Sequence, residues 1–147
     1  MSSLPERLRD ASQSGVYRSM RDVELLAAAG DAALGVARIA LVDASDKEAL
    51  LARIAAALDF PAWFGGNWDA LEDCLTDLSW RKARAHLLLF EGYERLRSAR
   101  GDDFGVLLDI LGSSAECWTE RGTPFFAVFV DPGRQLLLPE LMAGKAR

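Results

Sequence analysis

Three stretches of the chain are apolar at nearly every position, and segments with a helical repeat separate them. Residues 36–43 (VARIALVD), 85–90 (AHLLLF) and 123–130 (TPFFAVFV) lack the polar alternation of a half-exposed strand. They predict strands covered on both faces. Between the first two, Leu50, Leu51, Ile54, Ala57 and Leu58 recur at helical spacing. Ser45 is the expected N-cap of that helix, with Glu48 completing a capping box, and Pro61 stops it. Further helices are predicted over 21–29, ended by Gly30, over 68–78, over 93–97 and over 102–121, the last with a weak point near Gly112. Residues 15–19 (GVYRS) predict a brief edge strand, and Asp131-Pro132-Gly133 a turn. Residues 1–14 are polar and are expected to form a mobile leader. The tail, 132–147, is expected to dock only weakly. Doubly covered strands alternating with helices place the chain in the α/β class, as a small parallel sheet packed with helices. One domain is expected over 15–131, of which 15–35 is an N-terminal extension.

A chain of 147 residues buries about 70% of its unfolded surface as one domain, enough for a core without disulfide or metal staples. Cys74 and Cys117 match no metal-binding spacing and are expected to be two buried free thiols in a reducing compartment. The opening MSSLPERLRD has no apolar core of the kind a secretion signal carries, and no apolar run approaches 18 residues. The expected location is therefore the cytoplasm, with no membrane contact. The formal net charge of −5 argues against direct nucleic-acid binding, because phosphates would be repelled.

That charge is not spread evenly. Residues 59–80 (DFPAWFGGNWDALEDCLTDLSW) hold five carboxylates and no Lys or Arg, and so account for the whole excess. Gly65-Gly66-Asn67 offers a sharp turn followed by a favourable N-cap. In the helix after it, Trp68, Leu71, Leu75 and Leu78 form the stripe expected to be buried. Asp69, Glu72, Asp73 and Thr76 share another face, with Asp77 at its edge and Trp63 and Phe64 just before the loop. The helix dipole stabilises acids in a first turn by about 0.3–1 kcal/mol each, which can account for Asp69 and Glu72 and not for Asp73 and Asp77. Like-charge pairs four residues apart, Asp69–Asp73 and Asp73–Asp77, each cost about 0.2–0.5 kcal/mol in a helix. A locally unfavourable choice made repeatedly points to a functional demand, here a surface that attracts something basic. A solvated polar face remains the plain alternative.

The run PAWFGGNWDALEDCLTD resembles the barstar family of intracellular ribonuclease inhibitors. The shared pattern is Pro61, the aromatic pair Trp63 and Phe64, Gly65 and Asn67 of the loop, then Trp68, Asp69, Ala70, Leu71 and Asp73, with Thr76 one turn on. The resemblance extends less distinctly over residues 36–130. It implies a three-stranded parallel sheet packed with helices, to which residues 15–35 add an extra strand and helix. It also implies a protein that is not an enzyme and that plugs the active site of a small basic microbial ribonuclease. Asp73 would then occupy the phosphate pocket, Asp69 the guanine side, and Trp63 would stack over the catalytic histidine region. Asn67 and Thr76 would add polar contacts at the edge, with Gly65, Glu72 and Asp77 completing the surface. Glu72 departs from the pattern, which admits an aromatic there. The family's further acidic contact is not placed by the motif; Glu116 and Glu120 are both candidates. The free protein is expected to be a monomer with no cofactor.

Other chemistry is weaker. His86 is the only histidine, so no two-histidine centre can be assembled, and its apolar strand marks it as a satisfied structural residue rather than the base of a Ser-His-Asp centre. Asp69 and Asp73 as paired catalytic carboxylates would sit on an exposed helix where little shifts a pKa. A Mg²⁺ or Ca²⁺ site lacks the EF-hand order, since the glycines precede the acids. A phosphate at the glycine turn would meet Asp69 and Asp73. An acidic interaction module for some other basic protein stays open beside the inhibitor.

Overall fold

The computed structural model describes residues 3–142. Four strands, β1 (Gly15–Ser19), β2 (Gly35–Ala40), β3 (His86–Glu91) and β4 (Phe125–Val130), form one sheet in the order β1-β4-β3-β2, and every pairing is parallel. The sheet thus has one strand more than the resemblance implies. The extra one is β1, from the N-terminal extension, whose Gly15 pairs with Phe126. Parallel strands need helical crossovers, and these put a helix layer on each face. On one face α3 (Lys47–Ala57), α4 (Trp68–Leu75), α5 (Glu94–Ala99) and α6 (Gly101–Glu120) close over Leu88, Phe90, Phe125, Ala127 and Phe129. On the other, α1 (Leu4–Arg9) and α2 (Asp22–Asp31) bury Leu8, Leu25 and Ala29 against Leu87, Leu89, Phe126 and Val128. The two faces use alternate residues of the same strands, which is why β3 and β4 read as unbroken apolar runs.

Local signals shift several boundaries. The N-cap of α3 is Asp46, whose Oδ1 accepts from the Ala49 N–H at 2.8 Å, so the Ser45–Glu48 capping box does not form. Helix α6 runs through Gly112 without a break. Residues 4–13, expected as a mobile leader, form α1 and a 3-10 turn at Ala11–Gln13. A reciprocal cap between Ser3 and Glu6 starts α1, and Leu8 is fully buried. The tail is also held more firmly than expected as far as Met142. Leu136 and Leu141 are buried, and Arg18 of β1 exchanges backbone hydrogen bonds with Pro139 and Leu141, both at 2.9 Å.

Asp131, at the end of β4, anchors that tail. Its carboxylate accepts from the Tyr93 hydroxyl at 2.7 Å and from the backbone N–H groups of Gln135 and Leu136 at 3.1 and 2.9 Å. Burial would raise its pKa, but the Leu136 N–H, the Tyr93 hydroxyl and the Gln135 N–H outweigh it and hold the carboxyl below its usual range. His86 is 2% exposed, and among the described residues its Nδ1 has no hydrogen-bond partner, so it is not fully satisfied as expected. Burial, with a contribution from nearby Arg81, pushes its pKa down to about 4.

Both shifts make the fold acid-sensitive. Between pH 6.5 and 4 the unfolded chain binds a proton at His86 that the folded one refuses. Stability is then lost as pH falls, by up to about 1.4 kcal/mol per pH unit. The Asp131 contribution, present above the unfolded carboxylate pKa, goes next as pH falls through its lowered value. Urea midpoints should fall from pH 7 to pH 4, and His86→Gln should flatten the upper part of that profile. A profile unchanged by His86→Gln would show that another group governs it.

Candidate functional site

The segment between α3 and β3 is built on four aromatic rings. Phe60 packs edge-on against Phe64, centroids 4.9 Å apart, and against Trp80 at 5.9 Å. The Trp80 indole N–H donates to the Leu58 carbonyl at 2.9 Å, fixing the end of α3. Trp63 stands edge-on to Trp80 at 6.4 Å and is 57% exposed. A large ring held from behind and open to solvent in front suits a contact surface. Gly66 has φ +69°, in the left-handed region that glycine adopts without strain. That turn delivers Asn67 as the N-cap of α4, where its Oδ1 accepts from the Ala70 N–H at 2.8 Å. Gly65 and Gly66 also line a groove of about 580 Å³ with Phe64 and with Lys47, Leu51 and Ala55 of α3.

Helix α4 buries Leu71, Cys74 and Leu75. It turns Asp69, Glu72 and Asp73 to solvent, and Asp77 beyond its end is exposed as well. Trp68, expected in the buried stripe, is only partly covered and lies under the Lys47 ammonium, 5.9 Å from its ring centre. None of the four acids takes part in an ion pair among the described residues. The helix is shorter than expected. It ends at Leu75 with Thr76 as C-cap, and Leu78 adopts φ +51°. Asp77 therefore lies in the following turn, where its carboxylate accepts from the Ser79 N–H at 3.3 Å. No helical Asp73–Asp77 repulsion exists, and only the Asp69–Asp73 pair carries that argument. Thr76 is half-buried, and its hydroxyl donates to the Glu72 carbonyl at 2.8 Å, leaving the oxygen lone pairs for any outside donor.

The end of α4 is held by residues that the sequence reading did not attach to it. The Trp118 indole N–H of α6 donates to the Leu75 carbonyl at 2.8 Å. Arg121 lies with its guanidinium 4.6 Å from the Trp118 ring centre and donates to the Thr76 carbonyl. The chain linking α4 to α6 is too long for local pattern to connect them. The usable signal was a tryptophan on a helix read as core, whose N–H had to find an acceptor. Glu116 and Glu120, by contrast, line a groove of about 610 Å³ with Ser12, Ser14 and Val16, on the side of α6 that meets β1.

Cys74 sits beneath the acidic face, and both cysteines are free thiols, with Cys117 only half-buried rather than buried. Burial first, then the charges of Asp73 and Asp77, push the Cys74 thiol up to about 11. It therefore stays protonated and inert at neutral pH. Among the described residues no three or more His, Cys, Asp or Glu side chains come together as a metal site, and no helix is long and apolar enough to cross a membrane.

The chain matches the family model described as "Barstar (barnase inhibitor)" over residues 34–130, a span that runs from the start of β2 to the end of β4 and includes the whole of the loop and α4. No curated protein sequence matches the chain. The match covers well over half of the residues and all the elements that build the acidic surface, leaving only α1, β1 and α2 and the tail outside it: the chain belongs to the barstar family.

Proposed function

We propose that this protein binds a small basic microbial ribonuclease and blocks its active site with α4 and the loop before it. The observation that carries the reading is that Asp69, Glu72, Asp73 and Asp77 are exposed with no ion-pair partner among the described residues. Membership of a family of inhibitors supports it. A ribonuclease must hold a polyanion, so its cleft is lined with cations. Carboxylates projecting from a pinned helix stand where phosphates would stand, and the ordering cost of presenting them is met in the fold. Asp73, in the middle of the row, enters the phosphate pocket. Asp69 meets basic groups on the guanine side, Trp63 stacks beside the catalytic histidine, and Asn67, Glu72, Thr76 and Asp77 lie around them. The protein acts as a monomer in the cytoplasm, where it shields the cell's own RNA.

Opposite fields steer the encounter. Association is expected to approach about 10⁸–10⁹ M⁻¹s⁻¹ at low salt, against about 10⁵–10⁶ without steering, a contrast drawn in part from the barnase–barstar pair itself. The interface should cover about 800 Å² on each side. Titrating a small basic ribonuclease should show inhibition at one-to-one stoichiometry, with an association rate that drops steeply between low and physiological salt. No inhibition of several such enzymes, together with α4-dependent binding to a basic protein without nuclease activity, would replace the ribonuclease with a different basic partner.

A further inference from the structure

Residues 59–80 contain no Lys or Arg, yet the fold places a cation at the end of their helix. Arg121 follows α6, and its guanidinium donates to the carbonyl of Thr76, the C-cap of α4. The positive charge therefore sits at the C-terminal end of the helix that carries Asp69, Glu72 and Asp73. The position of this charge is fixed. One side of the group rests on the Trp118 ring at 4.6 Å, and Trp118 is itself 8% exposed and tied to the Leu75 carbonyl. Stacking and the favourable dipole at a helix C-terminus both resist its swinging away. Arg121 is exposed and makes no ion pair among the described residues. The Thr76 carbonyl takes one of the five N–H donors of a guanidinium. The remaining edge has the fork geometry that receives a carboxylate.

We infer that Arg121 is a specificity-determining residue of the α4 surface, which selects ribonucleases presenting an acidic group opposite the end of α4 and disfavours those that are basic there. This rests on the reading of α4 as the binding element. A fixed like charge is a repulsive element, and specificity is set by such elements as much as by attractive ones. A purely structural Arg121 would instead serve only as a cap, and losing it would harm binding to every partner alike.

The test uses barnase as probe and follows association by stopped flow for the parent, Arg121→Gln and Arg121→Glu, with thermal unfolding of each recorded alongside. Arg121→Glu should associate at least about ten-fold faster than the parent at low salt, with Arg121→Gln between them. The difference should vanish near 1 M salt, where screening is nearly complete. The same order is expected if the parent hardly binds barnase at all, since the variant then removes what excludes that enzyme. Equal or slower association of the variants, or no binding by any of them, would overturn the inference. Where Arg121→Glu does not fold, a gain of about three-fold by Arg121→Gln carries the test. Asp73→Ala in the parent and in Arg121→Glu separates the two readings. If it weakens binding while the arginine variants bring no gain, only the inference about Arg121 fails. If it changes nothing, the assignment of α4 fails.

Discussion

Asp73→Ala should weaken inhibition of a susceptible basic ribonuclease by about 30- to 5,000-fold. This corresponds to the roughly 2–5 kcal/mol lost when one partner of a desolvated, hydrogen-bonded charge pair is truncated, a range that again draws on the barnase–barstar complex. Asp73 lies between Asp69 and Asp77 on the exposed side of α4, so the enzyme would bury it from all sides. On the proposed reading, removing it would leave the enzyme's own Arg and Lys groups dehydrated without a counter-charge. The effect should therefore appear in the dissociation rate. Asp77, in the turn beyond the helix, should behave as a rim charge whose loss slows association and changes little else. The fold should not notice the change, because the Asp73 carboxylate makes no hydrogen bond or ion pair among the described residues. Its unfolding free energy should stay within about 0.5 kcal/mol of the parent. An inhibition constant within a factor of three of the parent, with the fold intact, would remove Asp73 from the centre of the interface.

The second large effect is on stability. Trp118→Ala should cost about 3–5 kcal/mol in urea unfolding, the range for removing a large buried aromatic. Trp118 stacks on Phe125 at an interplanar angle of 4° and lies 5.2 Å from His86, ring centre to ring centre. Its loss would open the junction of α6 with the sheet and would also free the Leu75 carbonyl and the Arg121 side chain. Trp118→Phe keeps most of the packing and removes only the indole donor, so about 1 kcal/mol is expected. Hydrogen exchange at the last turn of α4 should rise more in both variants than at α3, which Trp118 does not tie down. A cost below about 1 kcal/mol for the alanine variant would mean that α4 is held chiefly by Leu71 and Leu75.

The central strands were legible because burial on both faces forces a run of apolar residues, and that run appears directly in residues 85–90 and 125–130. The loop and the start of α4 were legible for another reason: Gly66 and Asn67 act locally, through a left-handed turn and a cap. What was not legible is whatever depends on a single long-range contact. Helix α1 has six residues and one buried leucine, too little for a periodic pattern to emerge. The end of α4 was misread because its apolar stripe continues through Leu78, which is buried from a left-handed turn rather than from a helix. The charge of the acidic face was misread in the same way. Counted along the chain it is purely negative, but Lys47 over Trp68 and Arg121 at Thr76 bring a cation to each end of α4.

The register of the outermost strand pair has a consequence for how the molecule comes into being. Gly15 lies beside Phe126, and the neighbouring Ser14–Phe125 hydrogen bond spans 111 positions. During translation β1 emerges first and must wait for the partner that emerges last, for about 5–20 s at ordinary elongation speeds. Its pairing belongs to the closing steps of assembly, because contacts so distant along the chain form slowly. The nascent polypeptide passes that interval with an unmatched edge. A stalled or prematurely terminated product lacking β4 would keep that edge open, and it is the species in which misassociation should be sought.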